Sequence, residues 1–155
     1  MAYDYSYEAF ISDCHILTQK IDWEFDTIIG IARGGLSLAH IFGEFYDIRE
    51  VYTINTIGYD ETKKLASTKV FNIPEISHAR NILIVDDIVD SGETLKLVIK
   101  SLSQRYPNAN FKTASLFYKE SASIKPNWYA QYATDWIDFF WATDLRNLPK
   151  TILPT

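Results

Sequence analysis

Ile82-Leu83-Ile84-Val85-Asp86-Asp87-Ile88-Val89-Asp90-Ser91-Gly92-Glu93-Thr94 fixes the architecture of this chain. Its apolar start, with Asn81 before it, reads as a buried strand over Asn81 to Val85. Two adjacent carboxylates, Asp86 and Asp87, follow. A tight turn at Ser91 and Gly92 comes next, and then a helix with Leu95, Val98, Ile99 and Leu102 on one side, running toward Arg105. The first N–H groups of such a helix lack intrahelical partners and favour an anion. Gly92 permits close backbone approach, and Ser91 and Thr94 add hydroxyls. The stretch therefore predicts an anion cradle beside a carboxylate pair. Each part alone is common, since Asp or Ser near a helix start is also an ordinary cap; the whole run in this order is specific.

Outward from it, strands and helices alternate. Thr27 to Ala32 is a short apolar, β-branched run ending at Arg33-Gly34-Gly35. Leu36, Ala39, Ile41, Phe42 and Phe45 predict a helix, and Val51 to Ile57 the next strand. Phe10, Ile11, Cys14, Leu17 and Ile21 place an amphipathic helix near the N-terminus. Phe111 to Tyr118 is a further strand, followed by Lys119, and Trp136 to Phe140 a last one. Residues 58–74 read as a polar loop with room for short strand pieces, and a loop of this length is often functional. This alternation predicts an α/β fold with a mostly parallel central sheet flanked by helices, over one domain spanning 1–155. Ligands of such sheets bind at the carboxyl ends of the strands, where Arg33-Gly34-Gly35, Asp86 to Thr94 and Lys119 are all expected.

The strand, Asp86-Asp87, two apolar residues and Asp90-Ser91-Gly92-Glu93-Thr94 resemble the phosphoribosyl pyrophosphate signature of the type I phosphoribosyltransferases. Ile31-Ala32-Arg33-Gly34-Gly35 is similar to the family's pyrophosphate loop, whose peptide is often cis. The resemblance covers about Asp26 to Trp141. It implies that Arg33 and Gly34 hold pyrophosphate, that Asp86 and Asp87 face the ribose hydroxyls and a magnesium ion, and that Ser91, Gly92, Glu93 and Thr94 anchor the 5-phosphate. It implies Asp90 as the catalytic carboxylate near purine N7, and Lys119 as the donor to O6 of a 6-oxopurine. Trp136 and Ile137 resemble the segment that stacks on the base and reads its edge, in a small C-terminal hood. Gly58-Tyr59-Asp60 opens a loop similar to the family's lid, with Gly58 where Ser is usual, and Lys63, Lys64 or Lys69 is placed to close on pyrophosphate. Trp141 looks like the second Trp of the short bacterial guanine–xanthine enzymes, in which an acid follows; here Ala142 stands in its place.

The bulk composition narrows the alternatives. The 155 residues carry a net charge of −5, which argues against broad nucleic-acid binding. One cysteine, Cys14, excludes an intrachain disulfide and suits a reducing, cytoplasmic setting. No apolar run reaches membrane-spanning length. The twenty-three aromatic residues are read chiefly as core and as an interface between copies, so a homo-oligomer, dimer or tetramer, is expected. His15, His40 and His78 lack metal-ligand spacing. The expected activity is a magnesium-dependent transfer of phosphoribose from phosphoribosyl pyrophosphate to guanine, xanthine or hypoxanthine. A non-catalytic sensor of the same diphosphate sugar, regulating nucleotide synthesis, is the alternative; a turnover assay separates them. A phosphoacceptor receiver domain also has strand-end acids, but ordinarily near its first strand.

Overall fold

The computed structural model describes residues 2–58 and 68–150. The element order is β1 (Tyr3–Tyr5), α1 (Tyr7–Lys20), β2 (Thr27–Ala32), α2 (Leu36–Phe45), β3 (Val51–Gly58), β4 (Thr68–Phe71), β5 (Asn81–Val89), α3 (Glu93–Arg105), β6 (Asn110–Tyr118), β7 (Trp128–Tyr132), β8 (Ile137–Phe139) and α4 (Phe140–Thr143). Six strands form one sheet in the order β4-β3-β2-β5-β6-β7, parallel except for β4 at the edge. The expected α/β class and mostly parallel sheet are those observed.

Alternation along the central strands sorts the core into two layers. On β5, Leu83 and Val85 join Ile28, Ala114 and Leu116 under α1 and α2. Ile82 and Ile84 join Ile29, Ile31 and Ile54 under α3, which contributes Leu95, Val98 and Leu102. Ser6 caps α1 by accepting from the Ala9 N–H at 3.1 Å.

Three departures from the sequence reading bear on the site. β5 does not stop at Val85: its ladder with β6 continues through Asp86↔Ser115 to Val89↔Tyr118. The two acids are therefore inside the strand, not beyond it. β7 adds a parallel edge strand that the sequence does not announce. β1 is a second such strand, and it pairs with β8 in a two-stranded parallel sheet near the site, with Tyr3 opposite Ile137 and Tyr5 opposite Phe139.

This small sheet is anchored from below. The Tyr5 ring packs against Phe117 and Phe139 with centroids 4.9 and 5.5 Å away. Its hydroxyl donates to buried Asp13 of α1 at 2.7 Å, and the Gln131 amide of β7 donates to both Asp13 carboxylate oxygens at 2.8 Å. Fully satisfied buried polar networks of this kind rigidify what they join.

Candidate active site

Strand order reverses between β2 and β5: β2 leads outward to β3 and β5 to β6 and β7. That reversal opens a crevice at the carboxyl ends of the two strands. Arg33 and Gly34 leave β2 on one side, after a cis Ala32–Arg33 peptide. Asp86 and Asp87 rise from β5 on the other. The two walls nearly touch, because a Cβ on Gly34 would lie 2.2 Å from Asp87 Oδ2. Gly35 is equally confined, its Cβ position being 2.4 Å from the Val85 carbonyl oxygen.

Three adjoining hollows line this rim. The first, of about 80 Å³, is walled by Asp86, Ile88, Asp90, Ser91, Gly92 and Thr94. Helix α3 opens onto it with Gly92, at φ 87°, in the cap position; Gly92 makes no side-chain cap, and the Glu93 N–H donates to Ser91 Oγ at 3.3 Å. The remaining first-turn N–H groups and Thr94 thus face a space suited to one small anion. Loop residue Ser123 braces the turn, its N–H and hydroxyl both donating to the Ser91 carbonyl at 2.8 and 2.9 Å. The Glu93 carboxylate turns away, its Oε1 lying 3.1 Å from Ser123 Oγ, a second and longer acceptor for that hydroxyl, and 3.8 Å from Lys96 Nζ. The Glu93 side chain therefore does not face the hollow, and its N–H is the one held by Ser91 Oγ.

The second hollow, of about 300 Å³, contains Asp87, Asp90, Lys119, Trp136, Ile137, Asp138 and Arg146. Parallel register sets Val89 beside Tyr118, so the next residues, Asp90 and Lys119, meet: Lys119 Nζ lies 2.8 Å from Asp90 Oδ1. Trp136 is 74% exposed, so it is not a core tryptophan; its ring stands at the cleft. The third hollow, of about 350 Å³, joins Arg33, Gly34 and Asp87 to Phe139, Trp141 and Ala142. Trp141 stacks on Phe139 with centroids 4.8 Å apart. Asp90 and Ile88 are shared by the first two hollows, and Asp87, Phe139 and Ala142 by the last two, so the rim is one continuous groove. A larger depression of about 480 Å³ along α2 and β3 contains none of these residues. Of the loop expected to act as a lid, Tyr59, Asp60, Lys63 and Lys64 lie outside the described residues, while Lys69 is on β4.

Electrostatics mark Asp86 and Asp87. Burial raises the Asp86 carboxyl well above the ordinary aspartate range, and the charge of Asp87 raises it further. Burial likewise raises Asp87. Both acids are therefore costly to ionise in the free protein, and a cation between them and a ligand offsets that cost. Two carboxylates held together are hard oxygen donors of the kind magnesium takes. Among the described residues no group of three or more His, Cys, Asp or Glu side chains forms a self-sufficient metal cluster. An ion here would draw its remaining oxygens from a ligand and water.

Linkage gives a stability consequence. A carboxyl whose folded pKa is raised weakens the fold as pH climbs through that range. Asp86→Asn is expected to raise the melting temperature of the ligand-free protein, by about 2–4 °C for each kcal/mol recovered. The gain is expected to be larger at pH 8 than at pH 5, because the penalty of the buried charge grows as the carboxyl ionises. Calorimetric melts at the two pH values check this; a variant less stable at both would show that the carboxylate is a net stabiliser.

Comparison with known proteins shows the family of the chain. A model of the phosphoribosyl transferase domain matches residues 9–147. Xanthine-guanine phosphoribosyltransferase of Roseobacter denitrificans is 34% identical over 128 residues, covering 77% of this chain and 69% of that one. The structure of Helicobacter pylori xanthine-guanine-hypoxanthine phosphoribosyltransferase superposes with a TM-score of 0.88 at 43% identity, over 96% of this chain and 98% of that one. A purine phosphoribosyltransferase from Pyrococcus horikoshii superposes at 0.80 with 25% identity, over 99% of each chain.

Proposed function

Because the chain belongs to the phosphoribosyl transferase domain family, we propose that the groove joins phosphoribosyl pyrophosphate to a 6-oxopurine base, releasing the nucleoside 5′-monophosphate and pyrophosphate in purine salvage. The observation that carries this is the Lys119–Asp90 pair at 2.8 Å in a cleft beside an exposed Trp136. A lysine donates and an ionised aspartate accepts. Side by side they complement the adjacent O6 and N7–H of a 6-oxopurine, an acceptor beside a donor. An adenine would set its 6-amino donor against the ammonium.

The other parts follow along the groove. The start of α3, with Ser91, Gly92, the Glu93 amide and Thr94, takes the 5-phosphate, which would replace Ser91 Oγ as the partner of the Glu93 N–H. Asp86 and Asp87 orient the ribose hydroxyls and hold magnesium, which supplies charge neutralisation for the pyrophosphate. Arg33, with its planar fork, and the amides at Gly34 take the diphosphate. Purine N9 attacks the anomeric carbon as its bond to the pyrophosphate oxygen breaks, and Asp90 receives the proton from N7. Trp136 stacks on the base and Ile137 reads its edge. Catalysis is chiefly positioning and charge stabilisation. One domain, a cytoplasmic setting and a homo-oligomer complete the proposal. They are supported by the buried lone Cys14 and by the exposed Phe45, Ile57 and Phe71. Among the described residues no helix is long and apolar enough to cross a membrane.

The test is nucleotide formation from the diphosphate sugar, magnesium and a panel of bases. A protein that binds the sugar and turns over no base would be a sensor instead. Within that assay, Lys119→Ala is expected to lower kcat/KM for hypoxanthine about 10–100-fold, the worth of one charge-assisted hydrogen bond. Affinity for the diphosphate sugar, measured by calorimetry, is expected to change far less. Equal losses in both would remove Lys119 from base recognition.

A further inference from the structure

Arg146 and Asp138 line the same cleft as Lys119 and Asp90, and no step above uses them. Asp138 is on β8 and Arg146 follows α4. Asp138 Oδ1 accepts from the Trp136 indole N–H at 3.1 Å and lies 3.6 Å from Arg146 Nη2. The base cleft therefore contains two ion pairs, Lys119 with Asp90 and Arg146 with Asp138, with Asp87 and Asp135 also lining it.

We propose that Arg146 is a specificity-determining residue that selects a purine bearing an oxygen at position 2, so that this chain uses xanthine in preference to guanine. The inference rests on the 6-oxopurine reading above. With O6 at Lys119 and N7 at Asp90, position 2 lies across the six-membered ring from N7. It is turned away from β5 and β6, toward the hood that carries Asp138 and Arg146. A guanidinium has five N–H donors and no acceptor. It complements a carbonyl oxygen and opposes an amino group, donor against donor. Of the Asp138 carboxylate, Oδ1 already faces the indole and Arg146, and Asp135, the other acid in this part of the cleft, is exposed to solvent. Ala142, which also lines the cleft, has no acceptor in its side chain. Hypoxanthine has only hydrogen at position 2 and serves as the internal reference.

The experiment measures initial rates with xanthine, guanine and hypoxanthine at saturating diphosphate sugar and magnesium. It compares the native protein with Arg146→Ala and Arg146→Lys. The native protein is expected to show a higher kcat/KM for xanthine than for guanine. Arg146→Ala is expected to lower the xanthine-to-hypoxanthine ratio of kcat/KM about tenfold, mostly through KM, and Arg146→Lys to restore part of it. A native preference for guanine over xanthine overturns the proposal. So does an unchanged ratio in Arg146→Ala, including a fall of all three bases together, which would mark Arg146 as structural. Nucleotide formed from hypoxanthine in either of those outcomes leaves the underlying 6-oxopurine reading standing; no nucleotide from hypoxanthine overturns both.

Discussion

Asp90→Asn is expected to lower turnover by about 10²–10⁴, the range for a lost general acid or base, while the diphosphate sugar binds nearly as before. The substitution keeps side-chain size, and its amide oxygen still accepts from Lys119 Nζ, now 2.8 Å from Asp90 Oδ1. What disappears is the negative charge that takes the N7 proton as N9 attacks. The carboxylate borders both the anion hollow and the base cleft, so no other acid shares its place. Asp87 lines the base cleft too, but it faces Gly34. Single-turnover rates with hypoxanthine and calorimetry with the diphosphate sugar check the two halves of the statement. Unchanged turnover would mean that the proton leaves by another route or that chemistry does not limit the rate.

Gly92→Val is expected to weaken binding of the diphosphate sugar about 10²–10³-fold. The backbone there has φ 87°, where a β-branched residue is a genuine outlier. The added Cβ would also stand 2.9 Å from the Ile124 backbone nitrogen and the Ser123 hydroxyl. The damage thus reaches the ligand indirectly. The turn shifts, the Ser123 brace on Ser91 loosens, and the N–H groups at the start of α3 lose their aim. Losing one or two charge-assisted hydrogen bonds, at about 1.5–3 kcal/mol each, accounts for the range. The helix itself stays seated through Leu95, Val98 and Leu102 in the core, so circular dichroism is expected to remain native-like. Native affinity in a folded variant would take the phosphate away from this turn.

How much of this was legible in the sequence depends on whether the signal was local. β2 is readable to the residue because all of Thr27 to Ile31 is buried on both faces, which demands a continuous apolar run. The turn after β5 is readable because glycine and hydroxyl positions act over a few residues. The true end of β5 is not, since Asp86 and Asp87 are strand residues only through pairing with β6. β1 is invisible for the same reason: Tyr3 to Tyr5 carries no periodic pattern and is a strand because Ile137 to Phe139 lies beside it. β7 is an edge strand of middling burial, with little apolar contrast to read. In the site, each of Asp90 and Lys119 stands out alone, but their contact follows from the β5–β6 register. The reason Gly92 must be glycine was only half visible: the tight turn and close backbone approach were read from the sequence, whereas the left-handed φ and the collision with Ile124 belong to the fold. Arg146 lies in no motif, and the Asp138 contact that gives it meaning is made across a helix.

The β1–β8 pairing orders events during synthesis. Chains emerge from the N-terminus at about 5–20 residues per second, and β2, β3, β5, α3 and β6 are all made before β8. The sugar-phosphate crevice can therefore assemble while Tyr3 to Tyr5 still waits for its partner. The wall that receives the base closes last, across the widest sequence separation of any strand pairing among the described residues, and a nascent chain halted before Ile137 would grip the donor without a surface on which to seat the acceptor.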